Sequence, residues 1–175
     1  PNAKLLVHEQ EWASTSALIP CQADWYCPHG TDGVNTNRII QFTGSIQLGR
    51  GVALVHTLGH TEGNHSLVAR VKDGIRVTSE NGVGADAYHP INSTINAVRR
   101  YAQATGAEVI LNGNTLEGSN DQYISMVMEK TIAGASVNSD YPNCASSSEA
   151  TPYWLVPQQQ SSFLIGEAEF GKVIV

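Results

Sequence analysis

The chain has few charged side chains and no cluster of basic ones. Charged residues make up 15% of its 175 positions, and 10 basic against 16 acidic side chains give a formal net charge of −6. Because no stretch concentrates Lys and Arg, the electrostatic footprint of a nucleic-acid-binding protein is missing. No apolar run approaches the roughly 20 residues that a membrane helix needs. We therefore expect no nucleic-acid and no membrane partner, but a soluble, weakly acidic protein, and we favour the cytoplasm as its location.

Cysteine is also scarce, and its three copies are Cys21, Cys27 and Cys144. An odd number argues against a secreted domain built on disulfides. Cys21 and Cys27 share one loop-like stretch and could bridge, which would stabilise the fold by about 2–3 kcal/mol. A zinc site at this stretch lacks the second cysteine pair that would complete four ligands. Free or structural thiols are the favoured interpretation.

Short apolar runs separated by turn residues predict a mixed, layered α/β domain. Strands are expected at residues 5–8, 38–42, 45–48, 51–56, 66–71, 75–79 and 108–111. The second and third of these are expected to pair with each other around a short turn. The fifth and sixth are expected to form a hairpin around the turn Lys72-Asp73-Gly74.

Three helices are expected among these strands, and the first covers residues 9–17. The second is capped by Asn92 or Ser93 and ends at Gly106. Its apolar stripe recurs at helical spacing, at Ile91, Ile95, Val98 and Ala102. The third follows a capping-box spacing at residues 119–122 and runs to about residue 132. Its expected apolar face consists of Ile124, Val127 and Met128.

The composition divides the chain into a body at residues 1–132 and a tail at residues 133–175. A loop-rich insertion is expected at 18–37, and the tail is rich in Ser, Asn, Pro and Gln before a final strand. Strands this apolar need cover on both faces, and three helices are too few to supply it. The domain is therefore expected to be incomplete alone.

The densest polar chemistry lies between two apolar strands, where His56, His60 and His65 fall within ten residues. Imidazole is the commonest metal ligand near neutral pH, and a loop at a strand end can aim it into a cleft. Gly59 and Gly63 permit tight turns on either side of His60. The alternative is that all three are hydrogen-bonded structural histidines, because no two have the helical spacing of paired ligands.

The segment Thr57-Leu58-Gly59-His60-Thr61-Glu62-Gly63-Asn64-His65-Ser66-Leu67 resembles the T-P-G-H-T-x-G-x-x-S-L segment of the metallo-β-lactamase superfamily. The likeness is strongest to its lactonase-like and glyoxalase-II-like hydrolases. It continues through a turn at residues 77–82 and a further turn at 109–115, and it covers roughly residues 3–130. The resemblance implies the C-terminal half of an αββα metallo-β-lactamase fold.

Carried over residue by residue, the resemblance assigns His60 as a metal ligand. Glu80 falls where the family has a bridging aspartate, and it is predicted to bind metal through oxygen. Asn114 falls where the family has its last histidine ligand, and amide oxygen is a poor replacement for imidazole at zinc. We therefore expect Asn114 to contact substrate instead. Independently of the resemblance, Asp86, Tyr88 and His89 follow the Glu80 turn and are candidates to line a substrate pocket, the alternative being that they are polar loop residues before a helix. No residue is assigned as catalytic.

One family motif, H-x-H-x-D-H, is absent from the chain although it supplies most of the family's metal ligands. The resemblance therefore implies that a separate N-terminal polypeptide carries this motif and completes the fold. We favour a cleaved precursor whose two pieces stay associated as a heterodimer. The alternative is that the other half is simply not in this chain.

The function implied by the resemblance is metal-dependent hydrolysis of an ester, lactone, thioester or amide bond in a small-molecule substrate. The expected cofactor is a divalent metal, zinc first, with iron or manganese as alternatives because the donors are oxygen-rich. Two other functions stay open. One is a di-iron, oxygen-activating oxidoreductase on the same fold, and the other is a non-catalytic binding protein that has lost the full metal site.

Overall fold

The computed structural model describes residues 3–18, 20–24, 26–27, 29–72, 74–111, 119–136 and 138–146. Its strands are β1 Leu5–His8, β2 Ile39–Phe42, β3 Ile46–Gly49, β4 Val52–His56, β5 His65–Val71, β6 Gly74–Thr78 and β7 Cys144–Ala145. Its helices are α1 Glu9–Thr15, α2 Pro20–Ala23, α3 Ala85–Tyr88, α4 Asn96–Thr105 and α5 Ser119–Ile132. Two short 3-10 turns lie at Thr36–Arg38 and Pro90–Asn92. The expected mixed α/β class is confirmed.

The strands form two sheets. β1 and β2 pair in parallel as a small two-stranded sheet. The other five form one sheet in the order β3-β4-β5-β6-β7, antiparallel except for the parallel pair β6 and β7. The predicted β5–β6 hairpin is confirmed, with Val71 opposite Gly74 at its tip.

The predicted pairing of β2 with β3 is wrong, because the turn between them carries the chain from one sheet to the other. Gly44 lies in this turn with a φ of 61°, a left-handed conformation that favours glycine. Its N–H donates to Nε2 of His8 at 3.2 Å, and its carbonyl lies 2.9 Å from Nε2 of His65. Side chains from both sheets therefore hold this turn, so β2 can pair with β1 while β3 pairs with β4.

The second predicted helix is shorter than expected. Its N-terminal part is the 3-10 turn Pro90–Asn92, and α4 begins only at Asn96. Ile91 and Ile95 of the predicted stripe are 41% and 52% exposed, whereas Ala102 is buried. The C-terminus is as predicted, because Gly106 has a φ of 69° and donates its N–H to the carbonyl of Ala102 at 2.8 Å.

The strand expected at residues 108–111 is wrong. No ladder forms there, although the N–H of Ile110 donates to the carbonyl of Ala87 at 2.8 Å. Val109 is still buried, in a core cluster with Val77, Ala87, Tyr88, Met126 and Cys144. Burial of an apolar segment therefore did not require a sheet neighbour.

The tail contributes a strand that its composition concealed. β7 adds to the edge of the large sheet, with Cys144 opposite Val77. The N–H of Val77 donates to the carbonyl of Asn143 at 3.0 Å. The final strand expected near the C-terminus lies outside the described residues, and the proposed boundary at 132/133 stays a prediction.

Two further expectations concern thiols and membranes. Cys27 is an exposed free thiol and Cys144 a buried one, as preferred for these two positions. Within the described ranges, no helix is long and apolar enough to cross a membrane.

Candidate functional site

The segment between β4 and β5 is a loop closed by its own hydrogen bonds. The N–H of Thr57 donates to the carbonyl of Asn64 at 3.0 Å, and the Asn64 side-chain amide donates back to the Thr57 carbonyl at 2.8 Å. Thr57 is completely buried, and its hydroxyl lies 2.7 Å from that of Ser66. The loop bearing His60 is therefore fixed at its base before any tertiary partner is considered.

Two glycines let this loop, residues 57–64, pack between α1 and α5. A Cβ on Gly59 would lie 2.4 Å from the Cα of Gln122 in α5, and the φ of Gly59 is 147°. A Cβ on Gly63 would lie 2.4 Å from the Cβ of Glu11 in α1. A side chain at Gly59 would therefore push the loop away from α5, and a side chain at Gly63 would push it away from α1. The hydroxyl of Thr61 also donates to the Glu11 carboxylate, which ties the loop to α1.

His60 lies at the tip of this loop, half-buried, and its main chain is fixed by a side chain from another part of the fold. Its N–H donates to Oδ1 of Asn81 at 2.7 Å. Its ring nitrogen Nδ1 is buried and has no hydrogen-bond partner among the residues that the structure describes. Leaving a buried polar atom unpaired costs about 1–3 kcal/mol. An unpaired buried atom of this kind marks a candidate binding position. A neutral imidazole nitrogen can serve as a ligand to a metal ion.

The structure brings the turn that carries Glu80 next to His60. Glu80 itself is exposed, and it lies between Ser79 and Asn81, which are both buried. Asn81 is the residue that accepts the His60 N–H. The two predicted metal ligands therefore lie on neighbouring segments joined by one side-chain hydrogen bond, and their roles stay predictions.

The buried carboxylate of Glu129, which is hydrogen-bonded to this turn, was not predicted from the sequence. Glu129 of α5 is completely buried. Its Oε1 accepts hydrogen bonds from Ser66 Oγ and Ser79 Oγ, both at 2.8 Å, and from Asn81 Nδ2 at 2.7 Å. Its Oε2 accepts one from Tyr88 Oη at 2.8 Å. We call these five residues the Glu129 network.

The predicted substrate contacts have different surroundings. Tyr88 is completely buried and belongs to the Glu129 network; burial, with Cys144 and Glu129 nearby, raises its pKa well above the usual value. His89 is half-buried, and burial together with the charge of Lys130 lowers its pKa. Asn114 lies outside the described residues. All three substrate contacts stay predictions, although the structure gives the Tyr88 hydroxyl a protein partner.

Asp86 is a second buried side chain with unpaired polar atoms. It is 8% exposed, and within the described part of the chain neither carboxylate oxygen has a hydrogen-bond partner. It lies in α3, six positions after Glu80. Its position in a buried helix next to the ligand turn is compatible with the proposed lining of a substrate pocket.

The other two histidines of the cluster, His56 and His65, are engaged in ring stacking and hydrogen bonds. Their rings form a stack with His8, in which the centroids of His8 and His56 are 4.4 Å apart and those of His56 and His65 are 4.9 Å apart. Nε2 of His56 lies 2.9 Å from the Glu62 carbonyl, and Nδ1 of His65 lies 2.7 Å from the Gly63 carbonyl. For His56 and His65, the structural alternative is confirmed.

Over the described parts of the chain, no group of three or more His, Cys, Asp or Glu side chains is arranged to hold a metal ion. His60 offers one buried nitrogen that fits such an ion, and Glu80 offers carboxylate oxygens on the adjacent turn. Ions of this kind usually take at least three protein ligands. Further ligands would have to come from outside the described residues.

No family model and no curated protein sequence matches this chain. Several solved structures match this chain. A quorum-quenching N-acyl homoserine lactone lactonase matches with a TM-score of 0.52 at 14% identity, over 82% of this chain and 49% of the lactonase. An N-acyl homoserine lactone hydrolase, with the product N-hexanoyl-L-homoserine bound at the catalytic metal center, matches with a TM-score of 0.53 at 14% identity, over 84% and 49%.

A mutant of AiiA from B. thuringiensis with N-decanoyl-L-homoserine bound at the active site also matches, with a TM-score of 0.53 at 14% identity. It is covered over 49% of its chain, by 84% of this one. The chain thus has the fold of part of these lactonases and spans about half their length. This is consistent with the metallo-β-lactamase fold expected from the His60 motif. At such identity the likeness concerns the fold alone.

Proposed function

We propose that this chain supplies part of the active site of a metal-dependent hydrolase that cleaves an ester, lactone, thioester or amide bond. The observation that carries the proposal is the His60 ring, whose buried Nδ1 has no hydrogen-bond partner among the described residues although the base of its loop is hydrogen-bonded. A structural histidine in such a loop would have both its main chain and its ring paired, as His65 does.

The fold supports the same proposal. The matched lactonases act on N-acyl homoserine lactones, and one holds its product at a catalytic metal center. A cyclic ester or a related acyl compound is therefore the substrate class we favour for this chain.

His60 would hold the cation through Nδ1, and Glu80 would add a carboxylate oxygen from the neighbouring turn. A divalent cation held there, zinc first, would lower the pKa of a water molecule and so supply a hydroxide nucleophile for a carbonyl near neutral pH. The chain's own contribution is to fix the main chain that carries the imidazole. The hydrogen bond from the His60 N–H to Asn81 and the packing of Gly59 on α5 hold this main chain in place.

We also propose that a further polypeptide carrying the H-x-H-x-D-H motif completes the site. Large apolar side chains are exposed on both sheets, at Leu5, Leu6, Ile40, Leu48 and Leu67, each between 39% and 47%. A partner that covers exposed apolar side chains removes them from water, which favours association. The half-length match to the lactonases is compatible with a partner that covers these side chains.

The metal assignment is tested by His60→Ala in the protein as purified, with any polypeptide that accompanies it. We expect bound zinc, measured by elemental analysis, to fall to the background level, because the ring nitrogen is lost. The matched control is His29→Ala, since the His29 side chain is 81% exposed and pairs with Asp32 on its own loop. Equal zinc content in the two variants would contradict the assignment.

Activity measurements separate the three functions. Turnover of acyl homoserine lactones or other esters, lost in His60→Ala, supports hydrolysis. Two bound irons per protein, together with oxygen consumption, would instead support the di-iron oxidoreductase and contradict the hydrolase. Absence of both metal and turnover would leave a binding protein.

A further inference from the structure

We propose that Glu129 is a positioning residue, whose buried carboxylate holds the His60 loop and the Glu80 turn in the arrangement that binds a cation. This rests on the proposed function, because it concerns how that same site is built. The hydrogen bonds given for Glu129 come from Ser66, Ser79, Asn81 and Tyr88. Two of these residues, Ser79 and Asn81, flank Glu80, and Asn81 also accepts the His60 N–H.

The connection to His60 runs through one amide. Nδ2 of Asn81 donates to Glu129 Oε1 at 2.7 Å and to the carbonyl of Thr57 at 3.0 Å. With both amide protons engaged, the orientation of the Asn81 side chain is set, and its Oδ1 is left to accept the His60 N–H at 2.7 Å. The amide thus transmits the position of Glu129 to the main chain of His60.

The connection to Glu80 runs through its two neighbours in sequence. The Ser79 hydroxyl donates to Glu129 Oε1 at 2.8 Å while it accepts the N–H of Asn81 at 3.1 Å. The carbonyl of Asn81 accepts from the Gln122 side chain of the same helix, α5, at 2.7 Å. The turn is therefore anchored on both sides of Glu80, and both anchors belong to α5.

The chemistry of Glu129 fits positioning better than simple packing. A carboxylate has about four lone-pair sites, and the four hydrogen bonds that Glu129 accepts from described residues all come from neutral donors. No Lys or Arg of the described residues pairs with it. An apolar residue of the same volume would fill the space more cheaply than a buried charge. A carboxylate at position 129 is accounted for if it orders the His60 loop and the Glu80 turn and favours a cation bound near them.

The test compares Glu129→Gln with Glu108→Gln in the whole protein. Each removes one carboxylate charge, but Glu108 is exposed and pairs with Lys130 at 2.6 Å. We expect Glu129→Gln to weaken Zn²⁺ binding, measured by titration calorimetry on folded protein, by roughly 10- to 100-fold, the range for residues that orient metal ligands. Glu108→Gln should leave the affinity unchanged.

A metal-free readout separates this inference from the proposed function. Hydrogen exchange of the His60 amide, followed by NMR without added metal, should be faster in Glu129→Gln than in Glu108→Gln, since the acceptor Asn81 is less ordered. If the wild type binds no Zn²⁺ but this exchange is faster, the cation site fails and the positioning role stands. If Zn²⁺ binds through His60 while affinity and exchange match the control, the positioning role is overturned.

If Glu129→Gln does not fold, Ser79→Ala is the variant that tests the positioning role. It keeps the charge, but removes one donor to Glu129 and the acceptor of the Asn81 N–H. Faster exchange at His60 than in Ser136→Ala, whose hydroxyl bonds only within the loop at 136–141, supports the role. Equal exchange overturns it.

Discussion

Buried side-chain nitrogen and oxygen atoms without hydrogen-bond partners are confined, among the described residues, to His60 and Asp86. Elsewhere the interior satisfies even a fully buried carboxylate, as Glu129 shows with its hydrogen bonds from four described side chains. His60 is hydrogen-bonded through its N–H to Asn81 of the Glu80 turn, and Asp86 lies in the helix that follows this turn. Proteins retain such costly atoms where a ligand offsets the cost, which is why both belong to our candidate site.

The cost of burying Asp86 predicts the effect of replacing it. Asp86→Asn removes a buried charge that has no partner, so we expect the free energy of unfolding to rise by about 1–2 kcal/mol. Urea denaturation measures this change. Asp140→Asn, at an exposed position, is the matched control. Loss of stability relative to that control would mean that the carboxylate is stabilised in the free protein.

At the scale of elements, the small sheet is joined to the large one by stacked imidazoles. His8 ends β1, whereas His56 ends β4 and His65 begins β5. The His8 and His65 ring centroids are 5.0 Å apart, and Phe42 of β2 lies edge-on to both rings. Any change in charge within this stack therefore acts on the contact between the two sheets.

His8 is the member of the stack for which acid is expected to be harmful. Its two ring nitrogens face the N–H groups of Gln10 and Gly44, at 3.3 and 3.2 Å. A neutral imidazole accepts at one nitrogen and an imidazolium at neither. Burial first, and then His56 and His65, lower the pKa of His8 below 6.5, while Glu9 and Glu11 act in the opposite direction.

Because the folded-state pKa of His8 is depressed, its contribution to stability is present above about pH 6.5 and is lost as the pH falls through the folded value. Thermal denaturation between about pH 8 and pH 5 should therefore show a smaller loss of Tm in His8→Asn than in the wild type. His29→Asn, at an exposed histidine, is the control. An unchanged pH dependence in His8→Asn would contradict this account.

The third helix shows why a correct boundary does not give a correct face. α5 spans Ser119–Ile132, as the capping-box spacing predicted. Yet Ile124 of its expected apolar face is 64% exposed, and the buried positions are Gln122, Ser125, Met126 and Glu129. Helix ends depend on local hydrogen bonds, whereas the buried face depends on what the helix packs against.

At the scale of the whole molecule, we propose that another polypeptide completes the fold. The chain spans about half the length of the matched lactonases, and apolar side chains of both sheets are exposed. The described residues hold two predicted ligands, too few for a metal site of the family's kind.

Intact-mass measurement of the native protein, purified without denaturation, tests this. We expect a mass well above the 18.8 kDa of this chain, and a second component on denaturation that carries the H-x-H-x-D-H motif. The extra component should bury apolar surface and supply the remaining metal ligands. A species of 18.8 kDa alone, with zinc bound, would contradict the partner proposal.

The sequence by itself determined the features that depend on neighbouring residues. The first strand, the β5–β6 hairpin, the ends of α5 and the glycine-flanked loop at His60 follow from alternation, capping and turn residues close along the chain. The resemblance of the His60 loop to a known motif led to the same fold that the structural matches support.

Only the tertiary structure decided what distant residues do together. The pairing of β2 with β1, the addition of β7 and the Glu129 network all join segments at least 30 positions apart in sequence. A glutamate within a helix gives no local sign that four donors from other elements will surround it. Burial and hydrogen-bond satisfaction are properties of the packed molecule, so the residue expected to hold the site in place became visible only there.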